Sequence, residues 1–194
     1  MALDIVMLGP PGAGKGTQAK FISREAGIPH IATGDILRKA IYELETPLGQ
    51  KIKPIYEAGD LVSDEDMVEL IRERLSQPDT AEGFILDGFP RTLAQAEALD
   101  RMLEEIEREL TVALHFQLPD ELAVERLHIR AVQEGRSDDT PDVIRHRLEI
   151  FHAQTEPVCE YYRAKGILVG IHADRMIQEV FAEVQQVLET AVAR

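Results

Sequence analysis

The chain has no tryptophan, one cysteine and few aromatic residues of any kind. The lone Cys159 excludes an internal disulfide and a cysteine-built metal cluster. That usage fits a reducing compartment, so the expected location is the cytoplasm. No apolar run approaches the roughly 20 residues a membrane span needs. The opening "MALDIVMLGPP" has no basic stretch, and Asp4 interrupts its short apolar run, so neither a secretory leader nor a membrane partner is expected. Positive charge is also scarce: 21 Lys and Arg stand against 35 Asp and Glu, a net charge of −14. This deficit argues against binding to nucleic acid, although it leaves room for a local basic pocket. The 194 residues suffice for one well-buried core and fall short of two full domains. No internal repeat is visible.

What is present is alternation. Strand-length apolar runs occupy 4–8, 30–33, 83–88, 112–118 and 167–173. Helical periodicity fills 15–26, 34–43, 64–76, 91–109, 120–134, 141–164 and 176–193. Strands alternating with helices predict an α/β fold with a parallel sheet covered on both faces. Two stretches break the rhythm. Residues 34–78 hold consecutive helices without a strand, and 130–141, "RAVQEGRSDDTP", form a polar segment between two helices. Each is a candidate flap over a site.

The first strand runs into "GPPGAGKGTQ", beginning at Gly9, and a helix follows. Strand, G-x-x-x-x-G-K and helix together make a phosphate loop. Glycines let the backbone approach closely, successive N–H groups point at phosphate oxygens, and the helix N-terminus adds its dipole. Gly12, Ala13, Gly14, Lys15, Gly16 and Thr17 are therefore read as triphosphate-binding, with Lys15 reaching the β- and γ-phosphates. Gly16 stands where such loops usually carry a Mg²⁺-ligating hydroxyl, and Thr17 is the candidate substitute. Asp87 ends the run "FILD" and is the candidate outer-shell acid for Mg²⁺.

"GPPGAGKGTQ", "ATGDILR" (32–38), "AGDLVSDE" (58–65), "DGFPRT" (87–92) and "EGRSDDTPDVIRHRL" (134–148) occur in this order along nearly the whole chain. In this the chain resembles the nucleoside monophosphate kinases, and the adenylate kinase branch in particular. The resemblance implies a P-loop NTPase fold in one domain. Its core would be 1–31, 63–125 and 139–194, with a helical flap for the monophosphate at about 32–62 and a short lid at about 126–138. It implies reversible Mg²⁺-dependent phosphoryl transfer between ATP and AMP, a monomer, and, with no cysteine-rich lid insertion, no zinc. The alternative is a UMP/CMP kinase of the same fold. A GTPase switch is disfavoured by the lack of an N-K-x-D motif.

Transfer between two nucleotides brings many negative charges together, and arginine answers this with a planar, permanently charged fork. Arg101, Arg108 and Arg163 fall outside any matching motif and are read as surface charges. The resemblance gives Arg38 and Arg91 the AMP phosphate, and Arg126 the donor adenine at the lid hinge. Arg130 and Arg136 would close on the transferring group, and Arg147 would hold it from the core. The first aspartate of the Asp138–Asp139 pair would support them. The catalytic set is thus Lys15, Arg91, Arg126, Arg130, Arg136 and Arg147.

For the acceptor, the resemblance implies a pocket of Thr33, Gly34, Arg38, Asp60, Leu61, Val62, Gly88, Phe89, Pro90, Arg91 and Gln95, with Arg136 and Arg147 at the phosphate. Thr33 stands where pyrimidine kinases carry Ala. Gln95 offers one acceptor and one donor to an adenine edge. On the donor side, family members commonly carry Asp-Gly or Asn-Gly after the last strand. This chain has His172-Ala173, with Arg175 as the candidate adenine contact.

Overall fold

The computed structural model describes residues 2–44, 46–135 and 139–192. Five parallel strands form one sheet: β1 (Leu3–Leu8), β2 (His30–Ala32), β3 (Gly83–Asp87), β4 (Val112–Gln117) and β5 (Leu168–His172). Their order across the sheet is β2-β3-β1-β4-β5. Each strand lies within one residue of the run that announced it. Among the described residues, no helix is long and apolar enough to cross a membrane.

Alternate residues of each strand feed opposite faces. Ile5 and Met7 join Ile85, Leu114 and Phe116 in one cluster, while Val6 and Leu8 join Phe84, Leu86 and Ala113 in the other. The first face is covered by α1 (Lys15–Ala26), α6 (Asp120–Glu134), α7 (Pro141–Ile150) and α9 (Ile177–Val192). The second is covered by α2 (Thr33–Tyr42), α3 (Pro47–Ala58), α4 (Asp64–Leu75), α5 (Leu93–Glu104) and α8 (Glu156–Ala164). Burial on both sides explains why the strands read as continuous apolar runs. Cys159 and Tyr162 of α8 are buried in the second cluster.

The register positions the site. Met7 pairs with Asp87, and Asp87 with Ala32. The carboxyl ends of β1, β3 and β2 therefore lie in one row, and three loops open at one edge. β1 sits between β3 and β4, which is the switch point where ligands bind in such sheets.

Three expectations need correction. The helix expected over 91–109 is shorter, because Thr92 caps it: its Oγ1 accepts the Gln95 N–H at 3.2 Å. Beyond Glu104 the chain turns through Glu107 at φ 56° and delivers Arg108 to the sheet. Arg108 is not a surface charge. It donates through Nε to Asp4 Oδ2 at 2.9 Å and through Nη1 to the Thr80 carbonyl at 2.9 Å. The helix expected over 141–164 is interrupted by a π turn, Phe151–Thr155. That turn stands just before Pro157, which lacks an N–H for a regular helical bond. α6 ends at Glu134, as its periodicity predicts, and takes in only the start of the polar stretch 130–141.

Candidate active site

The loops at the sheet edge enclose one cleft of about 720 Å³. Its floor is the phosphate loop. Gly14 has φ 82°, a left-handed conformation that favours glycine, and it caps α1 without any side-chain hydrogen bond. The first-turn N–H groups of a helix have no intrahelical acceptor, so an uncapped start is open to an anion. Lys15 Nζ donates to the Gly9 and Pro10 carbonyls, at 2.8 and 2.9 Å. Burial pushes its pKa down to about 8, and the Arg91 and Arg130 charges add to this while Asp87 opposes it.

Asp87 ends β3 beside the loop. A Cβ at Gly16 would lie 3.4 Å from its Oδ2. His30 Nε2 sits 3.4 Å from the same oxygen. Burial alone would raise the Asp87 carboxyl, but His30, Lys15 and Arg91 outweigh it and hold it below the usual carboxylate range. An ionised oxygen donor next to a phosphate loop suits a hard cation such as Mg²⁺. Among the described residues, no group of three acids or histidines would hold a metal without the phosphates.

The opposite wall is built from α2, the end of α3 and the turn after β3. Thr33 Oγ1 donates to the Asp87 carbonyl at 3.2 Å. The next residue, Gly88, has φ 87°, and a Cβ there would meet Thr33 Oγ1 at 2.4 Å. The glycine thus allows both the turn and the close approach. Arg91 Nε donates to the Gly88 carbonyl at 2.9 Å. Gln95 is buried, and both ends of its amide are engaged: Oε1 accepts the Arg91 N–H and Nε2 donates to Asp64. Arg38 donates to Asp35 at 2.6 Å and to the Tyr56 hydroxyl at 3.1 Å. Its Nε is buried without a hydrogen-bond partner, an orphan donor at the cleft wall. Gly34, Asp60, Leu61, Val62 and Pro90 also line the cleft, whereas the Phe89 side chain is in the core.

The roof comes from α6, α7 and the loop after β5. Arg130 donates to Asp139 Oδ2 through Nε at 3.0 Å and through an Nη at 2.6 Å, and Arg147 donates to Asp139 Oδ1 at 2.7 Å. Arg147 also stacks over Tyr56, 5.7 Å from its ring centre. Arg126 donates to the Ala173 carbonyl at 2.8 Å, joining the middle of α6 to the loop after β5. Across that loop, Glu183 of α9 accepts from His172 Nδ1 at 3.0 Å and pairs with Arg175.

Lys15, Thr17, Thr33, Arg38, Asp87, Arg91, Gln95, Arg126, Arg130, Arg147 and Arg175 therefore share one cleft. Arg136 and Asp138 lie outside the described residues. Asp139, the neighbour of Asp138, clamps two arginines. Sequence patterns did not single out Tyr56, His30 or Asp64. Their partners are 18, 57 and 31 residues away, so no local spacing marks them.

Comparison with known proteins gives one answer. The family model described as adenylate kinase matches residues 7–167. An adenylate kinase of Thermus thermophilus is 47% identical, the match covering 95% of this chain and 96% of that protein. One from Caldicellulosiruptor bescii is 42% identical over 96% and 99%, and one from Archaeoglobus fulgidus 40% over 96% and 98%. On this similarity, and on a cleft that joins a phosphate loop to a ring of arginines, the chain belongs to the adenylate kinase family.

Proposed function

We propose that the chain transfers the γ-phosphoryl group of ATP reversibly to AMP, giving two ADP. The observation that carries this is the shared cleft. The phosphate loop forms its floor, a second wall offers Thr33 and Gln95, and six described arginines line the same cleft. A site for one nucleotide alone needs neither the second wall nor so many cations.

In this reading the loop N–H groups and Lys15 hold the donor phosphates, while Arg38 and Arg91 hold the AMP phosphate. An oxygen of that phosphate attacks the γ-phosphorus in line, and the bond to the ADP oxygen breaks. Charge spreads over the moving group, and Lys15, Arg91, Arg130, Arg136 and Arg147 compensate it. Thr17 and, through water, Asp87 would hold Mg²⁺ on the donor phosphates, where the cation neutralises charge. Arg126 and Arg175 would face the donor adenine. The reading sets α2 and α3 as a flap over AMP and the segment from Arg126 as a short lid that excludes water. The Caldicellulosiruptor alignment spans 213 positions against the 194 residues here. That relative thus carries residues without counterpart in this chain, in keeping with a short lid. The enzyme would act as a cytoplasmic monomer.

A coupled assay offering AMP, UMP, CMP and GMP in turn tests the proposal. AMP is expected to be the preferred acceptor, and faster turnover of UMP would overturn it.

A further inference from the structure

Asp64 opens α4, and its Oδ1 accepts two hydrogen bonds, from Thr92 Oγ1 at 2.9 Å and from Gln95 Nε2 at 2.8 Å. At the other end of the Gln95 amide, Oε1 accepts the Arg91 backbone N–H at 2.8 Å. The two ends of a primary amide are alike in shape and opposite in hydrogen-bonding sense. Here the neighbours tell them apart. A backbone N–H only donates, so it takes the oxygen. A carboxylate oxygen carries no hydrogen, so it takes the NH₂ group.

We propose that Asp64 is a specificity-determining positioning residue: it holds the Gln95 amide in the one orientation that reads a 6-amino purine and rejects a 6-oxo purine. The proposal rests on the reading of Gln95 as the residue that meets the acceptor base. With its two protein bonds made, Gln95 retains one lone pair on Oε1 and one hydrogen on Nε2. Adenine presents the complement, an N6 donor beside the N1 acceptor. Hypoxanthine presents the reverse, an O6 acceptor beside the N1–H donor. Against the held amide, a 6-oxo base sets oxygen to oxygen and hydrogen to hydrogen. Turning the amide over would repair both contacts, but it would break the bonds to Arg91 and Asp64 together. Without Asp64, only the Arg91 N–H resists that turn.

The test measures kcat and KM for AMP and for IMP, with saturating MgATP, in four proteins: wild type, Asp64→Ala, Asp64→Asn and Gln95→Leu. Asp64→Ala is expected to raise KM for AMP about tenfold with little change in kcat, and to narrow the AMP-over-IMP ratio of kcat/KM at least about tenfold. KM for ATP should not move. Asp64→Asn keeps an acceptor oxygen in place and should restore most of the ratio. A merely structural role would weaken AMP and IMP alike, and an unchanged ratio in Asp64→Ala overturns the proposal. So does a wild type that uses IMP as well as AMP. If Asp64→Ala does not fold, Asp64→Ser is too short to reach Gln95 and carries the same expectation. A ratio that collapses in Gln95→Leu but not in Asp64→Ala removes the Asp64 inference alone. A ratio intact in Gln95→Leu removes the reading of Gln95, and the inference with it.

Discussion

Arg147 donates to Asp139 Oδ1 at 2.7 Å, and the Asp139 side chain is fully buried. The other carboxylate oxygen holds Arg130. One acid thus keeps two like charges close together. Asp139→Asn removes the negative charge and leaves the guanidinium groups to repel. The expected loss is about 2–3 kcal/mol in urea unfolding, with about a hundredfold fall in kcat as the arginines lose their aim. An Asp139→Asn protein with wild-type kcat would mean that the clamp has no part in turnover.

Lys15 makes the opposite case, a charge the fold holds at a cost. Its ordinary pKa of 10.5 falls to about 8 through burial and the neighbouring arginines. Between those values the unfolded chain binds a proton that the folded chain does not, so this group makes stability rise with pH from about 8 to 10.5. Lys15→Met should therefore unfold at higher urea than wild type at pH 7, without nucleotide. The gap should close as pH approaches 10. The same variant should lose about 10³-fold or more in kcat. A Lys15→Met protein less stable than wild type at pH 7 would contradict the assigned cause.

His152 lies on the π turn and meets Glu156 at 3.1 Å and Asp120 at 2.9 Å. Those hydrogen bonds raise its pKa above 6.5. A raised histidine adds stability below its unfolded value, and that stability is lost as pH climbs through the folded one. His152→Ala should thus lower the melting temperature at pH 5.5 and leave it nearly unchanged at pH 9. Exposure keeps the effect under about 1 kcal/mol. A loss of the same size at both values would point to packing instead.

Gly88→Ala joins two faults. A side chain at φ 87° is strained, and its Cβ would meet Thr33 Oγ1 at 2.4 Å. The expected loss is about 1–3 kcal/mol of stability. KM for AMP should rise well before KM for ATP, since Thr33 and Arg91 both move. Equal changes in both KM values would place the damage in the sheet.

The sequence made the framework legible where a single local rule governs. Apolar runs located the five strands because burial of the central ones on both faces keeps most of their residues apolar. The phosphate loop was readable because its glycines, lysine and helix start are adjacent. Arg108 shows the opposite. On its own it looked like one more exposed cation, and only the chain's return to β1 brings it to Asp4, 104 residues away. Gln95 was singled out and does line the cleft, but its partner Asp64 was not, because α4 and α5 meet only in the folded chain. The clamp of Asp139 was not singled out either, because its two arginines lie on α6 and α7, which meet only in the folded chain.

Cys159 is buried in α8, and burial pushes its thiol up to about 11. The thiolate is the reactive species, so at neutral pH this sulfur is nearly inert to alkylating probes. The native chain should therefore serve as a cysteine-free background. A cysteine introduced on the exposed side of α3 and another near the end of α6 would accept a fluorescent pair without removal of the native thiol. The distance between the two helices could then be followed in real time as nucleotides enter and leave.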